Sequence, residues 1–246
     1  MEFYILNNNF LLDKGYNFIG LYPEILLILL ILFYISYLVI CDHFANYKLI
    51  FTNIISLLSI ICLLLTFVLL FNNLNINFII FQSLLIQDTF SVNIKLILIV
   101  FSIVFFFLSI DYLKKELLIT YEYFLIILLA ILGLLMLICS YDLISMYLAI
   151  ELQSLCLYIL ATLKQYSNFS TEAGIKYFIL GAFSSGILLF GCSLLYGFTG
   201  ITDFYNLQIL FQNNLLEYKL YNNILIGILF ILIGLLFKMA AAPFHM

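Results

Sequence analysis

Along this chain, long apolar stretches alternate with short polar ones. Seven stretches approach or exceed the roughly 20 residues that a helix needs to cross a bilayer, over 21–41, 49–71, 91–111, 121–140, 142–163, 173–197 and 222–246. The connections between them are small. Ser140-Tyr141-Asp142 is the whole turn between the fourth and fifth stretches, which predicts an antiparallel helical hairpin there. The longest connections are 72–90, Asn-rich yet apolar, and 198–221, with Asp203, Glu217 and Lys219, and neither can hold an extramembrane domain. The pattern predicts an all-α membrane protein of about seven transmembrane helices.

Composition strengthens this reading. The chain is 66% hydrophobic and 9% charged, where soluble domains are about a quarter charged. All nine basic residues are Lys, and Trp is absent. Phe, Ile, Leu, Tyr and Asn, whose codons are AT-rich, are over-used, a coding bias that points to an organellar genome. The opening MEFYILNNNFLLDKGYN has neither the basic region and cleavage site of a secretory signal nor the Arg- and Ser-rich pattern of a transit peptide. Both absences suit a protein made where it is inserted. The net charge of −4 is scattered, which argues against nucleic acid as a partner. Cys41, Cys62, Cys139, Cys156 and Cys192 form no Cys-x-x-Cys pair and read as packed thiols, neither metal ligands nor disulfides. Lysines set the orientation: Lys48, Lys114, Lys115 and Lys164 follow odd-numbered stretches, whereas the other side carries Lys14 and Lys219, with Lys95 just inside the third stretch. The first set is expected in the cytoplasm or matrix and the N-terminus on the far side.

Most charges sit near the ends of apolar stretches, and Glu24, Asp111, Glu122 and Asp142 read as interfacial. Glu151, Lys176 and Lys238 are different. A charge at a helix centre costs about 2.5–3.5 kcal/mol on insertion scales and is usually housed in a bundle interior, a wet cavity or beside an opposite charge. Tyr147, Glu151, Ser154, Tyr158 and Thr162 recur at helical steps of four and three, so one stripe of hydroxyls surrounds the carboxylate. That stripe is expected to face protein or water, where protons can pass; the alternative is a protonated Glu151 bonded between helices. Lys238 shares a face with Gly227, Gly234, Ala241, Ala242 and His245, and Pro243 is expected to interrupt its helix. A snorkelling lysine near a chain end is the plainer account. Lys176 stands four residues after Glu172, the spacing of an exposed helical pair, so snorkelling and conduction weigh equally there. The small residues of GAFSSG, Gly181 to Gly186, favour close helix packing. His245 is either a proton shuttle or an interfacial histidine.

Three segments carry a resemblance to a known family: SYDLISMYLAIELQSLCLYILATLK, FSTEAGIKYFILGAFSSGILLFGCSLLYGFTG and ILFILIGLLFKMAAAPFHM. They resemble subunit 2 of mitochondrial NADH:ubiquinone oxidoreductase, respiratory complex I, and its bacterial counterpart, the antiporter-like subunit N. The likeness is dense from about Tyr121 to Met246; before that it rests on the hydrophobic layout and IQDTF, Ile86 to Phe90. The resemblance implies an antiporter-like fold in its N-terminal half, with a three-helix region at 1–115 and the first part of a proton-translocating module at 116–246. It puts the family's glutamate at Glu151, its lysines at Lys176 and Lys238, its helix break at Pro243 and its histidine at His245. By the family's mechanism, Glu151 and Lys238 form an ion pair that opens and closes, while Lys176 and His245 relay protons laterally. The family continues past the histidine with further helices, so the expectation is a split subunit completed by a separate polypeptide, with a truncated reading frame as the alternative.

The resemblance further implies that this chain binds no cofactor, with NADH, flavin, iron–sulfur clusters and ubiquinone held by other subunits. Expected partners are other membrane-arm subunits of complex I, the completing polypeptide and lipids, in the mitochondrial inner membrane with the N-terminus in the intermembrane space. Two competing functions remain: a subunit of a multi-subunit sodium/proton antiporter, which shares the Glu–Lys–Lys framework, and a structural subunit without pumping.

Overall fold

The computed structural model describes residues 18–42, 48–73, 78–81, 83–115, 122–164, 166–212 and 218–241. Among the described residues, six helices are long and apolar enough to cross a membrane, and Asn222–Lys238 is a shorter apolar segment. The chain is a multi-pass helical membrane protein. It divides into two compact units, Met1–Cys139 and Ser140–Met246. The junction at Ser140 to Asp142, read in the sequence as a tight helical turn, is where one unit passes to the other. The sequence-based division at 115/116 therefore differs from the one by contacts, which groups the fourth helix with the first three.

In the first unit, a 3-10 turn at Phe18–Leu21 leads into α1 (Tyr22–Asp42), followed by α2 (Lys48–Asn72), α3 (Thr89–Lys115) and α4 (Glu122–Cys139). α4 is the most buried, with 56% of its span inside the protein against 28% for α3. It therefore forms the centre, and Phe106 of α3 stacks on Phe124 of α4 with ring centroids 5.8 Å apart. Outward faces carry Leu29, Phe33, Phe101 and Leu108, the side chains that hydrocarbon accepts without cost. Buried Ser59, Thr66 and Ser102 donate their hydroxyls to carbonyls three residues back at 2.7–2.8 Å, which satisfies them within their own helices. Between α2 and α3 the structure adds an element that an all-α reading lacks. β1 (Phe78–Ile80) pairs antiparallel with β2 (Leu85–Gln87), Ile79 opposite Ile86. These strands are too short for alternation to be visible, but their β-branched content suits the pairing.

In the second unit, α5 (Leu143–Ala161), α6 (Asn168–Thr199) and α8 (Tyr218–Lys238) pack together, and α7 (Phe204–Gln212) is a short helix within the 198–221 connection. At about 1.5 Å per residue, a 32-residue helix such as α6 rises about 48 Å, well beyond a hydrocarbon core of about 30 Å. Its polar first turns therefore extend past that core. Gly200, at φ 69°, takes the left-handed conformation that stops α6, and its N–H donates to the Tyr196 carbonyl at 2.7 Å. Backbone bonds from Leu143 to the Thr202 carbonyl and from Phe204 to the Tyr141 carbonyl, at 3.2 and 3.3 Å, tie the start of α5 to the loop after α6. Leu143, Leu188, Cys192, Leu207, Ile224 and Ile231 close the core.

Candidate functional site

α6 is the scaffold. Its buried residues Gly174, Gly181, Ser184, Ser185, Leu188, Gly191, Cys192 and Leu195 recur at helical spacing. The glycines among them are where neighbours come closest. A Cβ on Gly191 would lie 2.7 Å from the Ile231 backbone nitrogen and 2.9 Å from the Gly227 carbonyl, and one on Gly234 would lie 2.7 Å from Leu188 Cβ. So α8 rests almost backbone to backbone on α6. Towards α5, a Cβ on Gly174 would meet Thr162 Cγ2 at 1.9 Å and one on Gly181 would meet Tyr158 Oη at 2.0 Å. Gly181 is thus the space into which the Tyr158 phenol fits. Tyr177 and Phe178 of α6 fix the ring edge-on, with centroids 4.8 and 5.7 Å away.

These contacts bring α5 and α8 to one point. Lys238, the last residue of α8, places its Nζ 3.2 Å from Tyr158 Oη and 5.7 Å from the centroid of the same ring. Glu151 Oε2 is 3.8 Å from that ammonium. The ammonium donates to the phenol oxygen and lies beside the carboxylate at ion-pair distance without bonding it. Glu151 Oε2 is buried and has no hydrogen-bond partner among the described residues. The pair is open, and the tyrosine holds the lysine. Both side chains are shielded, 15% exposed for Lys238 and 24% for Glu151.

α8 ends here for a backbone reason. Ala240 adopts φ 50°, its N–H donates to the Phe237 carbonyl and that of Ala241 to Leu236, both at 3.1 Å. This double closure is a Schellman motif with alanine where glycine is usual. The helix therefore already stops at Lys238, with its left-handed residue at Ala240, three positions before Pro243. Pro243 and His245 lie outside the described residues.

The remaining stripe on α5 is mixed in character. Ser154 and Thr162 donate to the carbonyls of Glu151 and Ile159 at 3.1 and 2.9 Å, so their hydroxyls are engaged within the helix. Tyr147 packs at the edge of the core. Lys176 pairs with Glu172 one turn away on α6, with side chains 66% and 61% exposed, and is not brought to Glu151 or Lys238. Cys62, Cys139, Cys156 and Cys192 are free and buried, while the Cys41 side chain is outside those described. Among the described residues no three His, Cys, Asp or Glu side chains gather as a metal site.

Two acidic residues expected at the interface are buried instead. Asp142, 0% exposed, caps α5: it accepts from the Ile144 N–H at 3.1 Å, and Ser145 reaches back to its backbone. Glu24, 1% exposed, forms an ion pair with Lys95, 0% exposed. Proximity to span ends concealed both, because an interfacial position accounts for such charges without a partner. The Asp142/Ser145 spacing before an apolar run was the available signal for the cap.

A bundle of apolar helices that holds a lysine between a carboxylate and a phenol defines a membrane protein with an internal, protonatable ion pair. Residues 140–246, the whole of the second unit, match the family described as NADH:quinone oxidoreductase/Mrp antiporter, TM. The chain is 51% identical over 166 residues to NADH-ubiquinone oxidoreductase chain 2 of Marchantia polymorpha, covering 66% of this chain and 34% of that protein. It is 42% identical over 166 residues to NADH-quinone oxidoreductase subunit N of Rhodobacter capsulatus, covering 68% and 34%. In fold it resembles a chain of respiratory complex I from Thermus thermophilus with bound aureothin, with TM-score 0.65, 24% identity, and coverage of 91% of this chain and 45% of that one. The matched stretch thus spans about a third of the length of these curated relatives.

Proposed function

We propose that this chain supplies part of a proton-translocating module in the membrane arm of a mitochondrial NADH:ubiquinone oxidoreductase. The observation that carries the reading is the position of Lys238, bonded to Tyr158 and beside an unbonded Glu151 on apolar helices. A carboxylate drawn towards an ammonium favours the protonated form, and one drawn away favours release of the proton. Unit charges about 4 Å apart attract by about 4 kcal/mol at an effective dielectric of 20. Moving one charge against 100 mV takes about 2.3 kcal/mol. The two are of the same order, so a small displacement of Glu151 is enough to switch proton uptake to release.

In this reading Tyr158 seats the ammonium while Glu151 stands off, and closure onto Glu151 displaces it. Lys176 and His245 relay protons laterally, and Pro243 keeps the helix broken. The chain itself does no redox chemistry: NADH, flavin, iron–sulfur clusters and ubiquinone are held by other membrane- and peripheral-arm subunits, which reach this module through conformational and electrostatic change. The remaining helices of the module, on a continuing or a separate polypeptide, are its direct neighbours. Lys48, Lys114, Lys115 and Lys164 face the matrix, and the N-terminus faces the intermembrane space.

The test is a native gel of mildly solubilised membranes stained for NADH dehydrogenase activity, with peptides identified from the active band. This chain is expected in it, and Glu151→Gln is expected to lower the protons moved per NADH oxidised without removing the chain from the band. Recovery of the chain only in a small assembly that exchanges sodium for protons would instead favour an antiporter subunit, the second activity in the family's description.

A further inference from the structure

The first unit holds another buried acid–base pair, for which the Lys238 site has no use. Glu24 lies in the first turn of α1 and Lys95 in the second turn of α3, and the two are in direct contact. Cys139, the last residue of α4, lies in the buried cluster that Leu21 and Ile25 join from around the start of α1. Asp88, half-buried, immediately precedes α3. The starts of α1 and α3 and the end of α4 therefore converge. The hairpin covers them: Ile80 and Leu85 pack with Leu21 and Cys139 in one buried cluster. Among the described residues, the 3-10 turn, the hairpin and the adjoining end of α2 bring no titratable side chain there.

The polar atoms left over are the informative part. Glu24 Oε2 has no hydrogen-bond partner among the described residues, and neither end of the Gln87 amide has one, although Gln87 is fully buried. Gln87 ends β2 and immediately precedes Asp88. Buried polar atoms are nearly always satisfied, and where protein offers no partner, ordered water does so. An ion pair serving only to fasten two helices is stable when its remaining lone pairs are also bonded. Here they are not.

We propose that Glu24, Lys95, Gln87 and Cys139 line a second, hydrated proton-binding site beneath the hairpin, in which Glu24 takes up and returns a proton through water passing Asp88. In uptake, a water-borne proton binds the Glu24 carboxylate, giving the neutral acid beside the Lys95 ammonium; in release, the same proton returns to water and the ion pair re-forms. Burial pushes the Asp88 carboxyl up, so the group at the mouth holds a proton at higher pH than a free aspartate would.

The test uses the assembled complex in sealed vesicles, with protons moved per NADH oxidised as the readout. The double variant Glu24→Leu/Lys95→Met removes both charges at once, a replacement that buried ion pairs often tolerate. An assembled double variant with its proton yield at least halved supports the site; an assembled one with the unaltered yield overturns it. If the double variant does not assemble, infrared difference spectra of the unaltered complex and of Glu24→Asp, recorded across pH, decide. A titrating carboxyl band that moves in Glu24→Asp supports the site, and spectra that coincide overturn it. Glu151→Gln measured in parallel separates this proposal from the Lys238 reading: loss of yield in Glu151→Gln alone sinks only the site under the hairpin.

Discussion

Tyr158 has two contacts to lose, its phenol bond to Lys238 and its seat against Gly181. Tyr158→Phe keeps the ring beneath the ammonium and removes the acceptor 3.2 Å away. Hydrogen bonds to charged groups contribute about 1.5–3 kcal/mol, so the balance between the two lysine positions should move at least about tenfold, towards Glu151. The expected outcome is a lowered proton yield with a displaced pH profile and normal assembly, read by proton pumping in vesicles. Gly181→Ala should reproduce it, because the added Cβ would sit 2.0 Å from the phenol oxygen, whereas Gly186→Ala, with nothing within 4 Å, should change nothing. Glu151 and Lys238 were legible in the sequence because a charge amid apolar residues stands out. The part Tyr158 plays was not, since in sequence it is one hydroxyl of five positions on a stripe and its partner glycine is on another helix. Glu24 and Lys95 were hidden for the opposite reason: 71 residues apart and near span ends, each has a sufficient local explanation.

For the elements, the contact between α6 and α8 leaves the least room. Gly191→Ala drives a methyl group into backbone, which cannot swing aside, so a cost of about 1–3 kcal/mol and loss of the chain from the assembled complex are expected on a native gel. Asp142→Ala removes the cap of α5 and should destabilise it by about 0.5–2 kcal/mol, measurable as a lower unfolding temperature in detergent. Helix positions were readable from apolar length, to within a few residues for most spans. Two features were not: the hairpin, whose three-residue strands are set by pairing rather than pattern, and the stop after Lys238. Pro243 drew attention as the breaker, but the left-handed turn at Ala240 acts first. Ala240→Gly is expected to relax that turn by about 1 kcal/mol or slightly more without moving the end of α8.

For the whole molecule, the two units differ in how they hold their charges. One contains a buried ion pair in direct contact beneath the hairpin and the other an open, partly shielded one. Apolar side chains on the outer faces suit lipid or neighbouring subunits, which fits the matched stretch being about a third of its relatives. Orientation gives a direct prediction at this scale. Tyr166, fully exposed in the connection after α5, should, as Tyr166→Cys, react with a membrane-impermeant maleimide from the matrix side and not from the intermembrane side. Labelling from the opposite side would reverse the topology drawn from the lysines.

The early stop of α8 has an electrostatic consequence. A helix end gathers its unpaired carbonyls into roughly half a negative charge, and Lys238 is the basic residue of that last turn. The ammonium therefore has a fixed counter-charge in the peptide chain as well as the Glu151 carboxylate 3.8 Å away. In the proposed switch, withdrawal of the carboxylate would leave the ammonium beside that fixed partial charge. A helix that ran on through residues 239–241 would carry that partial charge away from the ammonium without altering any ionisable side chain.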